Sequence, residues 1–236
     1  MHTSSLLLTG LLAFSNAAVL PQAEEASLLA ARGGGSGSSS GNSCHVWAKV
    51  NAELNSAFMV GKQCNGMARA AIRAIFHDCG SWDTTQGFTG GCDGSLVLGT
   101  TYNGQQDVEL NRDENRGLQK IASVLQDMAT RYAVSVADMI VFAGNAAIFL
   151  CPGGPRVKTF IGPTDSTTSA KPGGLPDVFD TAQNLFTLFQ NKGYSAEDLA
   201  ALLGAHSTST QNFVGETKKN ASQDSTLFSI YNDPFH

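Results

Sequence analysis

The sequence predicts a mostly α fold, on three observations. Apolar residues recur at three- and four-residue intervals along much of the chain. Alternating strand patterns are scarce. Helix-capping signatures stand before several of the periodic runs. The first predicted helix covers 65–77, where Ile72, Ile75 and Phe76 share a face among helix-forming alanines. A second covers 118–132, with Leu118, Ile121, Val124, Leu125 and Met128 at helical spacing. Ser135-Val-Ala-Asp138 is a capping-box-like start to the apolar run Met139 to Leu150, which Pro152 and Gly153 end. A fourth helix is expected from Val178 to Asn191, with Gly193 as its stop. Ser195-Ala-Glu-Asp198 then caps a helix in which Leu199, Leu202, Leu203 and His206 share one face. The stretches 80–94 and 153–176 read as long loops.

The chain has 236 residues, 42% hydrophobic and 15% charged, so it can bury a sizeable core. Its formal charge of −5 argues against general nucleic-acid binding, which needs basic surface. The body holds no run of about 20 apolar residues, so no membrane span is expected. Residues 1–18 read as a secretory signal peptide: an apolar block from Leu6 to Phe14, then the small residues Ser15 to Ala18. Secretion would place the chain in an oxidising compartment. Residues 19–43 read as a propeptide and linker, because 33–43 is all glycine and serine but for one asparagine. The folded domain is then expected over 44–236.

Three groups of residues carry chemistry. Arg73 and His77 are four apart, so on a helix they project from one face, which is costly on an apolar helix unless they meet a ligand or a wet cavity. Asp78 and the turn Gly91-Cys92-Asp93-Gly94-Ser95 offer two carboxylates, a hydroxyl and backbone carbonyls, a donor set that suits Ca²⁺. His206 sits on a predicted apolar face and is followed by Ser207. Read with His77, it could be the one protein ligand of a haem iron.

In combination these residues resemble the plant, fungal and bacterial haem peroxidase superfamily, and most of all its secreted fungal ligninase-type members. RAIFHDC, GGCDGS, ELNRDENRGL, VADMIVFAG, CPGGPR and LAALLGAHS occur in the family's order. The resemblance implies a helical fold with distal and proximal lobes around haem b. It implies that H₂O₂ oxidises small organic, phenol-type donors in one-electron steps, in a secreted monomer that engages neither nucleic acid nor membrane. It assigns Arg73 and His77 as the distal catalytic pair, Glu109 and Asn115 as the residues that orient His77, and His206 as the iron ligand. Asp78, Gly91, Asp93 and Ser95 match a first calcium site; Ser207, Asp224, Thr226 and Asp233 match part of a second. Disulfides Cys64–Cys151 and Cys79–Cys92 are implied, leaving Cys44 over.

The pattern departs from the specialised relatives. Where manganese-oxidising members carry carboxylates this chain has Gly66, Ala70 and Thr208. Ala201 stands where lignin-oxidising members carry a surface tryptophan. Only 30 residues follow His206. They offer no counterpart of the family's later aspartate that bonds the proximal histidine, so a shortened proximal lobe is expected. Asn220-Ala-Ser222 is a glycosylation sequon. Two rival readings use the same residues: a calcium-binding, peroxidase-like secreted protein without turnover, and a non-haem enzyme with His77, His206 and a carboxylate on one metal.

Overall fold

The computed structural model describes residues 43–86, 90–213 and 219–223. The expectations for residues 1–42, and for Asp224, Thr226 and Asp233, lie outside them. In chain order the described elements are α1 (Ser43–Phe58), β1 (Met59–Val60), β2 (Gln63–Cys64), α2 (Gly66–Cys79), α3 (Ser95–Leu98), β3 (Thr101–Tyr102), β4 (Gln105–Gln106), α4 (Gln119–Tyr132), α5 (Val136–Leu150), α6 (Ala182–Asn191) and α7 (Ala196–Leu203). Short 3₁₀ turns cover Glu109–Asn111, Asp113–Asn115 and Gly204–Thr208. The strands form two two-residue hairpins, β1 with β2 and β3 with β4. The fold is therefore mostly α, as expected.

Helices α2 and α5 form the centre. Small residues let them approach closely: Ala68, Ala71 and Ala74 on α2, and Ala143, Gly144 and Ala147 on α5. A Cβ added at Gly144 would lie 2.4 Å from Ile75 Cγ2, so only glycine fits between the two backbones. Helix α4 adds Ile121, Leu125 and Met128 to this core. Helix α1 lays Trp47, Val50, Leu54 and Phe58 against it at helical spacing, with Trp47 and Phe142 ring centroids 4.7 Å apart. The sequence reading starts its helices at Asn65 and omits α1, although this stripe is visible in the residues. No single described helix is long and apolar enough to cross a membrane.

Three expected helix ends need correction. Ser135 Oγ accepts from Asp138 N–H, but the Asp138 carboxylate does not complete a capping box; it accepts from Gly162 N–H instead. The free N–H groups of Val136 and Ala137 go to Asp165. Helix α6 begins at Ala182, a turn later than Val178, with Thr181 as its cap. The cause lies in Asp177 and Asp180, whose side chains take the N–H groups of Phe179 and Thr181 and hold a turn there. Helix α7 has the expected Ser195–Asp198 capping box but ends at Leu203. His206 falls on the 3₁₀ turn beyond Gly204, a poor helix former. Leu202, Leu203 and His206 are exposed, so they do not form the buried helical face the periodicity suggests.

Candidate active site

Helix α2 is held at both ends. At its start Asn65 Oδ1 accepts from the N–H groups of Met67 and Ala68, while Asn65 Nδ2 donates to Ala57 O. The Cys64–Cys151 disulfide joins that start to the end of α5. At its far end the Cys79–Cys92 disulfide ties it to the loop before α3. Both expected pairings are present. For Cys44, the side chain lies outside the described atoms.

Between these anchors α2 presents Arg73 and His77 one turn apart, as the spacing predicts. Arg73 Nε donates to His77 Nε2 at 3.2 Å. The other guanidinium nitrogens donate to the carbonyls of Arg116 (2.8 Å) and Glu114 (2.6 Å), so the charge is aimed and cannot swing away. On the far side of the ring, His77 Nδ1 lies 2.7 Å from Asn115 Oδ1. Asn115 Nδ2 donates to Glu109 O at 2.7 Å, which turns its oxygen toward the histidine. An amide oxygen only accepts, so Nδ1 must carry the proton and Nε2 keeps its lone pair. Burial holds the imidazole down to about 4; the Arg73 charge adds to this and the Asn115 bond opposes it. At neutral pH His77 is therefore a neutral base with its lone pair on Nε2.

Glu109 reaches Asn115 through its main-chain carbonyl. Its carboxylate accepts instead from Ala170 N–H at 2.5 Å and so pins the 169–171 segment. Arg112 reinforces that junction by pairing with Asp107 at 2.6 Å and donating to Ala170 O.

Asp78 is fully buried beside His77. Its oxygens accept from Gly94 N–H (3.0 Å) and Leu96 N–H (3.1 Å). These bonds favour the anion, yet burial, assisted by Asp93 and Glu109, pushes its pKa up to about 8. Ser95 Oγ is buried without a well-formed hydrogen bond. Gly94, with φ +76°, makes the turn that brings Asp93 and Ser95 together. Asp78 retains lone pairs beyond its two N–H bonds, and with Asp93 and the Ser95 hydroxyl it offers donor types that a hard cation takes, but among the described residues no three His, Cys, Asp or Glu side chains are grouped to hold a metal ion.

His206 is exposed, and its imidazole makes no hydrogen bond among the described residues. Ser207 is half-buried on the same turn. Thr208 is buried, with its hydroxyl donating to Ala205 O. Sequence reasoning treats Phe76 only as a helix-face residue. Its ring, 37% exposed, stands edge-on to His77 with centroids 5.8 Å apart, so an apolar surface adjoins the base. The signal was its position three residues after Arg73. Arg73 and His77 supply a charged donor and a base, and His206 an imidazole that makes no hydrogen bond among the described residues, donor types that an iron-bearing prosthetic group can use.

A family model described as "Peroxidase" matches residues 48–232. Ligninase LG6 of Phanerodontia chrysosporium is 31% identical over 191 residues, covering 78% of this chain and 50% of the relative. A peroxidase of Arthromyces ramosus is 28% identical, with coverages of 81% and 52%. The low-redox potential peroxidase of Taiwanofungus camphoratus is 32% identical, with coverages of 78% and 50%. The chain spans about half the length of these curated relatives.

Proposed function

This chain belongs to the peroxidase family, and on that premise we propose that it supplies the peroxide-cleaving half of a haem-dependent site that oxidises small organic donors, phenols above all. The observation that carries the reading is the fixed tautomer of His77: Nδ1–H donates to Asn115, so Nε2 keeps its lone pair, which accepts from Arg73 Nε until peroxide takes that place. When bound, haem b would supply the iron at which the O–O bond of peroxide breaks, with His206 as its protein ligand. The chain's own residues handle protons and charge. His77 Nε2 takes a proton from one oxygen of H₂O₂ and returns it to the departing oxygen, which leaves as water. Arg73, anchored on two carbonyls, stabilises negative charge on that oxygen as the bond lengthens. Asn115 keeps the ring in the productive orientation throughout.

Calcium would be held by Asp78, Gly91, Asp93 and Ser95. Its charge would relieve the raised carboxyl of Asp78 and stiffen the segment directly after His77. Ser207 belongs to the second, proximal calcium set, whose other members lie outside the described residues. The two disulfides support a secreted protein. The donor class follows from what the side chains offer. Gly66, Ala70 and the buried Thr208 provide no carboxylate for manganese, and Ala201 provides no aromatic ring. A small donor reaching the open side near Phe76 needs neither. The protein would act as a monomer. Titrating the chain with haem and then adding H₂O₂ with a small phenol tests the reading. Saturable binding and peroxide-dependent oxidation are expected. Saturable haem uptake with no oxidation would favour the rival without turnover.

A further inference from the structure

One of the two carbonyls that hold the Arg73 guanidinium belongs to a turn that a distant ring covers. Arg73 Nη1 donates to Arg116 O at 2.8 Å. The next residue, Gly117, has φ +89°, in the left-handed region that favours glycine. A Cβ at Gly117 would lie 2.7 Å from Phe213 Cε2, 3.0 Å from Phe213 Cζ and 3.7 Å from Arg73 Nη1. The Phe213 ring fills the space a side chain would take, and it converges with the Arg73 guanidinium on the Cα of one residue. The Arg116 guanidinium carbon lies 5.8 Å from the centre of the same ring, within cation–π range. Phe213 thus touches the turn on both sides of the peptide whose carbonyl anchors Arg73.

Phe213 reaches the turn from the stretch that follows His206. Ser209 N–H donates to His206 O, which ties that stretch to the 3₁₀ turn of the imidazole. Gln211 N–H donates to Ala221 O, Asn220 N–H to Gln211 O and Gln223 N–H to Ser209 O, while Thr210 and Ser222 form an antiparallel bridge. The backbone leading to Phe213 is therefore held. The ring itself is 52% exposed, so burial alone does not account for its place on Gly117. On the far side the turn is fixed by Leu118, which is buried, and by Gly117 N–H, which donates to Gln119 Oε1 at 2.9 Å.

Resting on the proposed peroxidase reading, we infer that Phe213 is a positioning residue for Arg73. By covering Gly117 it keeps Arg116 O on the guanidinium, and so keeps Arg73 Nε directed at His77 Nε2. Glu114 O holds Nη2 alone, and a planar guanidinium held at one nitrogen can pivot about it; the second carbonyl fixes its plane. Without the ring, glycine is free to turn the 116–117 peptide and carry its carbonyl away. The stretch after His206 then does two things: it presents the proposed iron ligand and it sets the cation on the other side of the site.

The test has two arms. NMR of the full chain, isotope-labelled at arginine, reads Arg73 Nε–H, assigned by its loss in Arg73→Lys. Phe213→Ala should shift that signal and speed its exchange with solvent, and Phe213→Leu, which keeps an apolar group on Gly117, should restore most of the protection. Gly117→Ala, whose Cβ displaces the ring, should reproduce the change and should do far less in a Phe213→Ala background. An Arg73 signal unchanged in Phe213→Ala overturns the positioning role. In the haem-loaded chain, Phe213→Ala should slow peroxide cleavage by about 10–100-fold, the range for losing an orienting partner, and no further in an Arg73→Ala background. Equal slowing with and without Arg73 makes Phe213 a structural residue and overturns the inference. Absence of any peroxide reaction in the unsubstituted haem-loaded chain overturns the site reading, while the Arg73 signal still decides whether Phe213 positions the guanidinium.

Discussion

Replacing Asn115 by alanine isolates the element that turns His77 from a buried imidazole into a directed base. Asn115 touches neither iron nor peroxide in the proposed reaction; it acts only through its 2.7 Å contact with His77 Nδ1. Without that acceptor the ring loses the partner that selects the Nδ1–H tautomer, and the proton can shift to Nε2, where it disables the base. Loss of such an orienting partner costs about 10–100-fold, a barrier increase of about 1.4–2.7 kcal/mol. Loss of the base itself costs about 10²–10⁴-fold. If Asn115 acts through His77, the effects cannot add: in a His77→Ala background, Asn115→Ala should slow peroxide cleavage no further. Stopped-flow measurement of peroxide-driven spectral change in the four proteins of this cycle reads the coupling. Equal effects of Asn115→Ala with and without His77 would refute the orienting role and leave Asn115 as a structural residue.

Other consequences follow from the same contacts. Calcium at Asp78 should raise stability by about 2.7 kcal/mol when present at one hundred times its Kd. Chelation should lower Tm and Ca²⁺ restore it, while an Asp78→Asn protein should lose that response; equal response in both proteins would contradict the site. Gly144→Val forces side-chain atoms into the space held by Ile75 Cγ2, so unfolding free energy in a denaturant titration should fall by about 1–3 kcal/mol. An undiminished value would show that α2 and α5 can part without cost. Hydrogen bonds from Arg131 and Tyr132 hold the Glu53 carboxyl at about 2, against 4.5 ordinarily. Because the folded-state value is depressed, this stabilisation is present above pH 4.5 and is lost as pH falls toward 2. The pair is partly exposed, so screening reduces it to about 1 kcal/mol, and Glu53→Gln should cost that much at pH 7 and little near pH 2. A gap that stays constant across that range would contradict the ion pair.

The distal pair was legible because helical geometry alone brings residues four apart onto one face, and Arg73 and His77 are four apart. Asn115 was not legible in that way. It reaches His77 from 38 residues further along the chain, and only the family resemblance of the ELNRDENRGL segment pointed to it. The same resemblance named Glu109 but not the atom that acts, because the choice between its carbonyl and its carboxylate depends on where Ala170 packs. Apolar periodicity failed at His206 for a local reason. The pattern continued past Leu203 while Gly204 let the helix tighten into a 3₁₀ turn. The packing of Phe213 on Gly117 was also invisible, since it is a tertiary contact between two turns far apart in the chain.

The central claim is that His77 is the base that opens peroxide. It is tested most directly by comparing peroxide-dependent oxidation of a small phenol by the haem-loaded chain and by its His77→Ala variant, at equal haem occupancy. The account predicts a rate lower by about 10²–10⁴-fold in the variant with haem uptake retained. Equal rates at equal occupancy would mean that bound haem reacts without help from the chain, and would contradict the account.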